Sequence, residues 1–206
     1  MDAVDDIYPV LRPAAWLADN PDAAAHVWLG TTDRPLVLVT YAHLGDDGAL
    51  RVLDADGPPS GGPQPEGERP RPDGGADLRP GEDVVRAAFA NLDAYETAFE
   101  AVDADGGRML VSAGRALAAE RVLSQAHMLA AHELLDAEEV LVSIPRRGAV
   151  LACSIDCSDQ VRRSMMHLHT EAWAQARSES DRITGELVVF EQGVKTGRMP
   201  IAELKV

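Results

Sequence analysis

Lysine is nearly missing from this chain. Of 19 basic residues only Lys195 and Lys205 are lysines, and the rest are arginines. Cysteine is equally scarce, with two in 206 residues. Two cysteines cannot build a disulfide framework, so a reducing, cytoplasmic setting is expected. No apolar run reaches the roughly 18 residues that a membrane-spanning helix needs. The opening Met1-Asp2-Ala3-Val4-Asp5-Asp6 has neither the positive start nor the apolar run of a secretory signal. There is no G-x-G-x-x-G fingerprint and no phosphate-binding loop ending in Lys and Ser or Thr.

Acid is abundant. Asp and Glu number 34, for a net charge of −15. Such a surface repels a phosphate backbone and anionic lipid, so neither nucleic acid nor a membrane is the expected partner. It attracts basic proteins and cations. With 46% hydrophobic residues the chain is globular. Arginine in place of lysine, beside much Ala, Asp and Gly, is the composition of a GC-rich bacterial genome.

Half of residues 54–81 are Gly or Pro, and none is aromatic. This segment is expected to be a mobile loop that interrupts one domain spanning residues 1–206. Before it, Ile7 to Ala18 suggests a short helix broken at Pro9 and Pro13. Runs at His26 to Gly30, Leu36 to Ala42 and Ala49 to Leu53 read as a three-stranded meander. After it, Pro80-Gly81-Glu82-Asp83 opens a helix. Val85, Ala88, Phe89, Leu92, Tyr95, Phe99 and Val102 carry its helical period as far as the turn at Asp105-Gly106. Arg108 to Ala113 reads as a strand. A second helix is expected from about Arg115 to Leu135, with Leu117, Val122, Ala126 and Leu129 inward. A third is expected from about Asp159 to Arg177. Two hairpins flank that helix, one closed by Pro145-Arg146-Arg147-Gly148 and the other by Glu191-Gln192-Gly193. Short turns make antiparallel neighbours. The expected fold is therefore α+β, a mainly antiparallel sheet packed against about four helices.

Ala88-Phe89-Ala90-Asn91-Leu92, Val142-Ser143-Ile144-Pro145-Arg146-Arg147 and Leu187-Val188-Val189-Phe190 followed by Gly193 resemble, in order and spacing, the YtpQ-like family of uncharacterised bacterial proteins. The resemblance covers roughly residues 36–200. It implies a fold and a bacterial cytoplasmic setting, and no mechanism. The family usually has an acidic residue after its Pro-x-Arg step, where this chain has Gly148.

The candidate chemistries mostly give way to structural readings. Cys153, Cys157, His167 and His169 contain zinc-ligand types. However, residues two apart on a helix point roughly 200° apart, so His167 and His169 cannot share an ion. Cys153 reads as a small core residue, and neither metal nor a disulfide is expected at the two cysteines. His132-Glu133-Leu134-Leu135-Asp136 lacks the second His of the zinc-protease motif. Ser112-Ala113-Gly114 lacks the Gly that should precede a nucleophile elbow, so Ser112 is read as a helix cap. Asp54-Ala55-Asp56-Gly57 and Asp103-Ala104-Asp105-Gly106 are turns rather than calcium loops.

Arg146 and Arg147 are the most suggestive pair. At a hairpin tip they would meet solvent or a partner, and they could hold a carboxylate, a phosphate or an acidic partner. No cofactor is expected. The expected function is a non-enzymatic protein-interaction component, adaptor-like or chaperone-like, with a protein partner. The alternative is a hydrolase or transferase that holds an anionic substrate on Arg146 and Arg147. His127, His132, Asp156 or Ser112 would then supply its base or nucleophile.

Overall fold

The structure, a computed structural model, describes residues 6–45, 48–53, 80–104 and 106–201. Most of the Gly/Pro-rich segment 54–81 lies outside the described residues, as does the first Asp-Ala-Asp-Gly tetrad.

Ile7–Pro13 is a strand, β1, followed by a 3-10 helix at Ala14–Ala18. The sequence suggested a broken helix here, and the prolines decide the matter. Pro9 and Pro13 share one side of the strand with Leu11, whose N–H points away from the neighbouring strand to Glu120. Their missing N–H groups thus fall on the free edge, where no ladder bond is lost. β2 (Ala25–Gly30), β3 (Pro35–Leu44) and β4 (Leu50–Val52) follow. The long β3 has β1 along one side, and β2 and β4 end to end along the other. The expected meander is therefore a four-stranded antiparallel sheet centred on β3.

Helix α1, Glu82–Ala94, carries Glu82 and Asp83 in its first turn and buries Ala88 and Leu92. It ends earlier than the spacing suggested, where Tyr95 turns extended at ψ 119°. The chain then enters β5, Glu100–Ala104, which pairs with β6, Gly107–Ala113. Phe99 is buried just before β5, and Val102 within it is 41% exposed. Their helical spacing to Leu92 was coincidental, because strand pairing outweighed it.

The second expected helix is divided. Glu120–Leu123 is a 3-10 turn, and α2 begins afresh at Gln125–Leu135. Ser124 causes the break. It is the N-cap, and its Oγ accepts from the His127 N–H at 3.3 Å. The restart rotates the buried face to His127, Met128, Ala131 and His132, and leaves Ala126 and Leu129 exposed. α3, Asp159–Ala174, is capped by Ser158. Among the described residues there are three α-helices, one fewer than expected.

β7 (Glu139–Arg146), β8 (Ala149–Ser154), β9 (Glu186–Glu191) and β10 (Val194–Pro200) complete a six-stranded antiparallel sheet in the order β10-β9-β7-β8-β6-β5. Its two faces follow the period-two rule. Met109, Leu141, Leu151, Cys153 and Leu187 pack beneath α3 with Val161 and Met165. Leu110, Val140, Val142, Val150, Ala152 and Phe190 face the opposite way. They join one core with Met128 and Ala131 of α2, Ala88 of α1, and Leu11, Val37 and Tyr41 of the four-stranded sheet. The fold is α+β and antiparallel, and its two sheets share that core.

Candidate functional site

The tip of the arginine hairpin is half-buried. The segment leading to β9 folds over it. The Arg147 N–H donates to the Asp181 carbonyl at 2.9 Å, the Ile183 N–H to Pro145 at 3.2 Å, and Arg146 bridges to Arg182. Arg146 and Arg147 are half-buried, and the Nε of each is buried without a hydrogen-bond partner. Arg146 Nη1 donates to the Arg147 carbonyl at 3.3 Å. The tip is therefore partly covered by a segment of its own chain.

The partners of Arg147 were not legible in the sequence. Arg12, from β1, and Glu120, from the 3-10 turn before α2, lie close enough to it to act on one another electrostatically. Glu120 is fully buried. One carboxyl oxygen accepts from the Leu11 N–H at 3.4 Å, and the other has no hydrogen-bond partner. Burial pushes this carboxyl up to about 7, against the opposing pull of Arg147, backbone N–H groups and Arg12. Arg12 is also buried, its guanidinium 5.0 Å from the centre of the Trp16 ring. Burial, with Arg147 next, lowers Arg12 to about 10. A carboxyl that titrates near neutrality beside two guanidiniums has the electrostatics of an acid–base group. It lacks access, since Glu120 has no exposed surface. A cavity of about 180 Å³ is lined by Pro13, Trp16, Asp19, Trp173 and Arg182, and Glu120 is not among its lining residues.

The other candidate residues are dispersed. Ser112 lies buried within β6 opposite Val150, so it is a strand residue and caps no helix. His127 stacks on Phe99 at 4.3 Å, and its Nε2 is buried without a partner. Burial, and then Arg121, lowers it to about 4. The His132 Nδ1 meets the Ala137 carbonyl at 2.8 Å, closing the end of α2. Asp136 is the left-handed C-cap of that helix at φ 49°. Asp156 is exposed. These groups do not converge on Arg146 and Arg147.

His169 is buried against Ser143, Nδ1 to Oγ 2.8 Å, and burial lowers it to about 4. His167 is exposed and lies 3.4 Å from Glu171. The helix places the two histidines on different faces, as their spacing requires. Among the described residues, no three His, Cys, Asp or Glu side chains gather as a metal site would need. Asp103 and Ala104 end β5, and Gly106 turns back into β6 at φ 93°.

A different kind of site lies at the far end of the six-stranded sheet. An open cleft of about 530 Å³ runs between the end of α2 and the β9–β10 turn, with Glu138, Glu139 and Glu191 on its rim and Leu129 and His132 along its wall. Leu129 is 41% exposed, and Val194, next to the turn, is 52% exposed. Gly193 fixes this geometry. It sits at φ 74°, and a Cβ there would lie 2.7 Å from the Gln125 carbonyl and 3.0 Å from Leu129. The Gln125 side chain donates to the Gln192 carbonyl at 3.2 Å, tying the turn to α2. The sequence signal for this cleft was the misplaced Leu129, an apolar residue assigned inward that the restart at Ser124 turns outward.

No family model, curated protein or solved structure matches the chain. Among the described residues no helix is long and apolar enough to cross a membrane.

Proposed function

We propose that this protein is a non-enzymatic interaction component of a bacterial cytoplasmic system, related to the YtpQ-like proteins, and that it docks a basic protein segment in the acidic cleft between α2 and the β9–β10 turn. The observation that carries this reading is the pairing of three carboxylates with exposed Leu129 at one opening. A segment with Lys or Arg beside one apolar side chain would satisfy both, the charges steering and the apolar contact anchoring. The net charge of −15 extends the same attraction over the whole surface. The alternative, a hydrolase or transferase using Arg146 and Arg147, is less well supported. Their hairpin is folded under the segment leading to β9, and Glu120, the buried carboxyl on which Arg147 acts, has no exposed surface.

The test is a pull-down from source cells with the wild type and with the double variant Leu129→Asp, Glu191→Lys. Both positions are exposed, so the variant should fold with a near-wild-type melting temperature. A basic partner enriched by the wild type and lost with the variant is the expected result. Recovery of the wild type with no enriched partner would count against the reading.

A further inference from the structure

The two cysteines fall outside the cleft and outside the arginine junction, yet they lie together. Cys153 is the penultimate residue of β8, and Cys157 follows a tight turn closed by its own N–H donating to the Ser154 carbonyl at 3.1 Å. Their Sγ atoms are 3.5 Å apart, and both thiols are free. They differ in setting. Cys153 is fully buried beneath α3, with its Sγ 3.6 Å from the Met165 sulfur. Cys157 is half-buried, immediately before the N-cap Ser158 of the 16-residue helix α3. Arg162, one turn into that helix, is held over the turn by its Nη2 donating to the Ile155 carbonyl at 3.0 Å. Its Nε is buried without a hydrogen-bond partner.

We propose that Cys157 and Cys153 form a reversible dithiol–disulfide pair, in which accessible Cys157 is the attacking thiol, buried Cys153 is the resolving thiol, and the oxidant is a small-molecule disulfide. This departs from the sequence expectation that the two would form no disulfide. The reason is the turn at Ser154 to Cys157, which brings together side chains that a strand and a loop would otherwise separate. Closing the bond needs the sulfurs to approach from 3.5 Å to about 2.05 Å, a movement that side-chain rotation and a slight tightening of the turn can supply.

The chemistry follows from the settings. Hydrogen bonding from Cys153 and the nearby Arg162 guanidinium bring the Cys157 thiol down to about 7, overcoming its partial burial. The same hydrogen bond, with burial, pushes Cys153 up, so Cys157 is the first of the two to ionise. The Cys157 thiolate attacks one sulfur of the small disulfide. A protein mixed disulfide forms, and the other half leaves as a thiolate that takes up a proton. Cys153 then gives up its proton and attacks the Cys157 sulfur. The intramolecular bond forms and the second small thiol leaves. In sum, protein dithiol plus one small disulfide gives protein disulfide plus two small thiols, two electrons passing from the cysteines to the oxidant.

The test uses the folded full-length chain and oxidised glutathione as the probe. After acid quenching and alkylation, intact mass should show a species lighter by two hydrogen atoms, unalkylated at both cysteines and restored by dithiothreitol. Accumulation of a stable mixed disulfide in the wild type, or no reaction, would overturn the proposal. Cys153→Ser should trap one glutathione on Cys157, and Cys157→Ser should react more than tenfold more slowly. Equal rates for the two would overturn the assignment of roles. Arg162→Gln should slow modification of Cys157 several-fold at pH 7, and the deficit should close by pH 9. A deficit that persists at pH 9 would mean that Arg162 does not act through the thiolate.

Discussion

Glu120 is a carboxyl held away from water with one oxygen unpartnered, and its proton links it to stability. It titrates at about 7 in the folded chain against an ordinary 4.5. Between those values the folded chain keeps a proton that the unfolded chain has released. Its contribution is therefore full below 4.5 and is lost as pH rises through 7, a change of about 3 kcal/mol. His127 and His169 run the other way. Both lie at about 4 when folded against an ordinary 6.5, so their contribution is full above 6.5 and is lost as pH falls toward 4. We predict that Glu120→Gln gains on the wild type as pH rises from 5 to 8, leaving the histidine slope and, above pH 7, that of Cys157. Urea denaturation at both pH values checks this, and a constant difference between the two proteins would refute it. Arg147→Ala should raise the Glu120 value further and extend the window upward, because Arg147 is the largest electrostatic influence holding it down. Neither Glu120 nor Arg12 was legible in the sequence. Glu120 stands in an Ala-rich run, where charge normally marks a solvated helix face, and it is buried where β1, α1 and α2 pack around that run. Arg146 and Arg147 were legible as an unusual pair. Their surroundings were not, because the segment that covers them is some 35 residues away along the chain.

At the scale of elements, the strand–turn–strand units were readable because their turns need particular backbone conformations. Gly148 at φ 70° and Gly193 at φ 74° stand where the hairpins were expected to close. Helix limits were less readable, because a single cap can override a long period. Ser124 divides the second expected helix, and its Oγ also donates to Asp93 at 2.5 Å, tying the start of α2 to the end of α1. We predict that Ser124→Ala costs about 1–2 kcal/mol, for the lost cap and the stranded Asp93 contact. Gly193→Ala should cost at least as much. Its left-handed backbone disfavours a side chain, and its Cβ would press on the Gln125 carbonyl, which is backbone and cannot yield cheaply. Thermal unfolding of both variants would test this, and a Gly193→Ala protein as stable as wild type would show that the turn shifts freely. β1 shows the same logic from the other side. Two prolines that break a helix are harmless on a free strand edge, and that edge is covered in turn. Asn91 of α1 donates to the Ile7 carbonyl at 3.0 Å, and Glu120 accepts from Leu11. Asn91 belongs to the first of the three motifs behind the family resemblance, and this contact gives it a structural role.

The whole molecule carries a net charge of −15, which acts in opposite senses on folding and on binding. Like charges spread over a compact surface repel one another, and unfolding relieves the repulsion by moving them apart. Added salt shortens the Debye length from about 30 Å at 0.01 M to about 8 Å at 0.15 M, which screens that repulsion in the folded state. We predict that the melting temperature rises by several degrees as sodium chloride increases from 0.01 to 0.15 M. The local ion pairs do not oppose this strongly. Arg86–Asp83 and Arg108–Asp103 are largely exposed on both sides, so screening them removes little stability, while the closer Arg198–Glu186 pair, less exposed, is screened less. Docking of a basic segment in the cleft should respond in the opposite sense. The steering charges on Glu138, Glu139 and Glu191 are screened by the same ions, so affinity and association rate should fall as the melting temperature rises. Calorimetric scans and binding titrations over one salt series would give both trends from one preparation. Binding that stays constant while the melting temperature climbs would remove charge from the recognition and leave the exposed Leu129 to carry it alone.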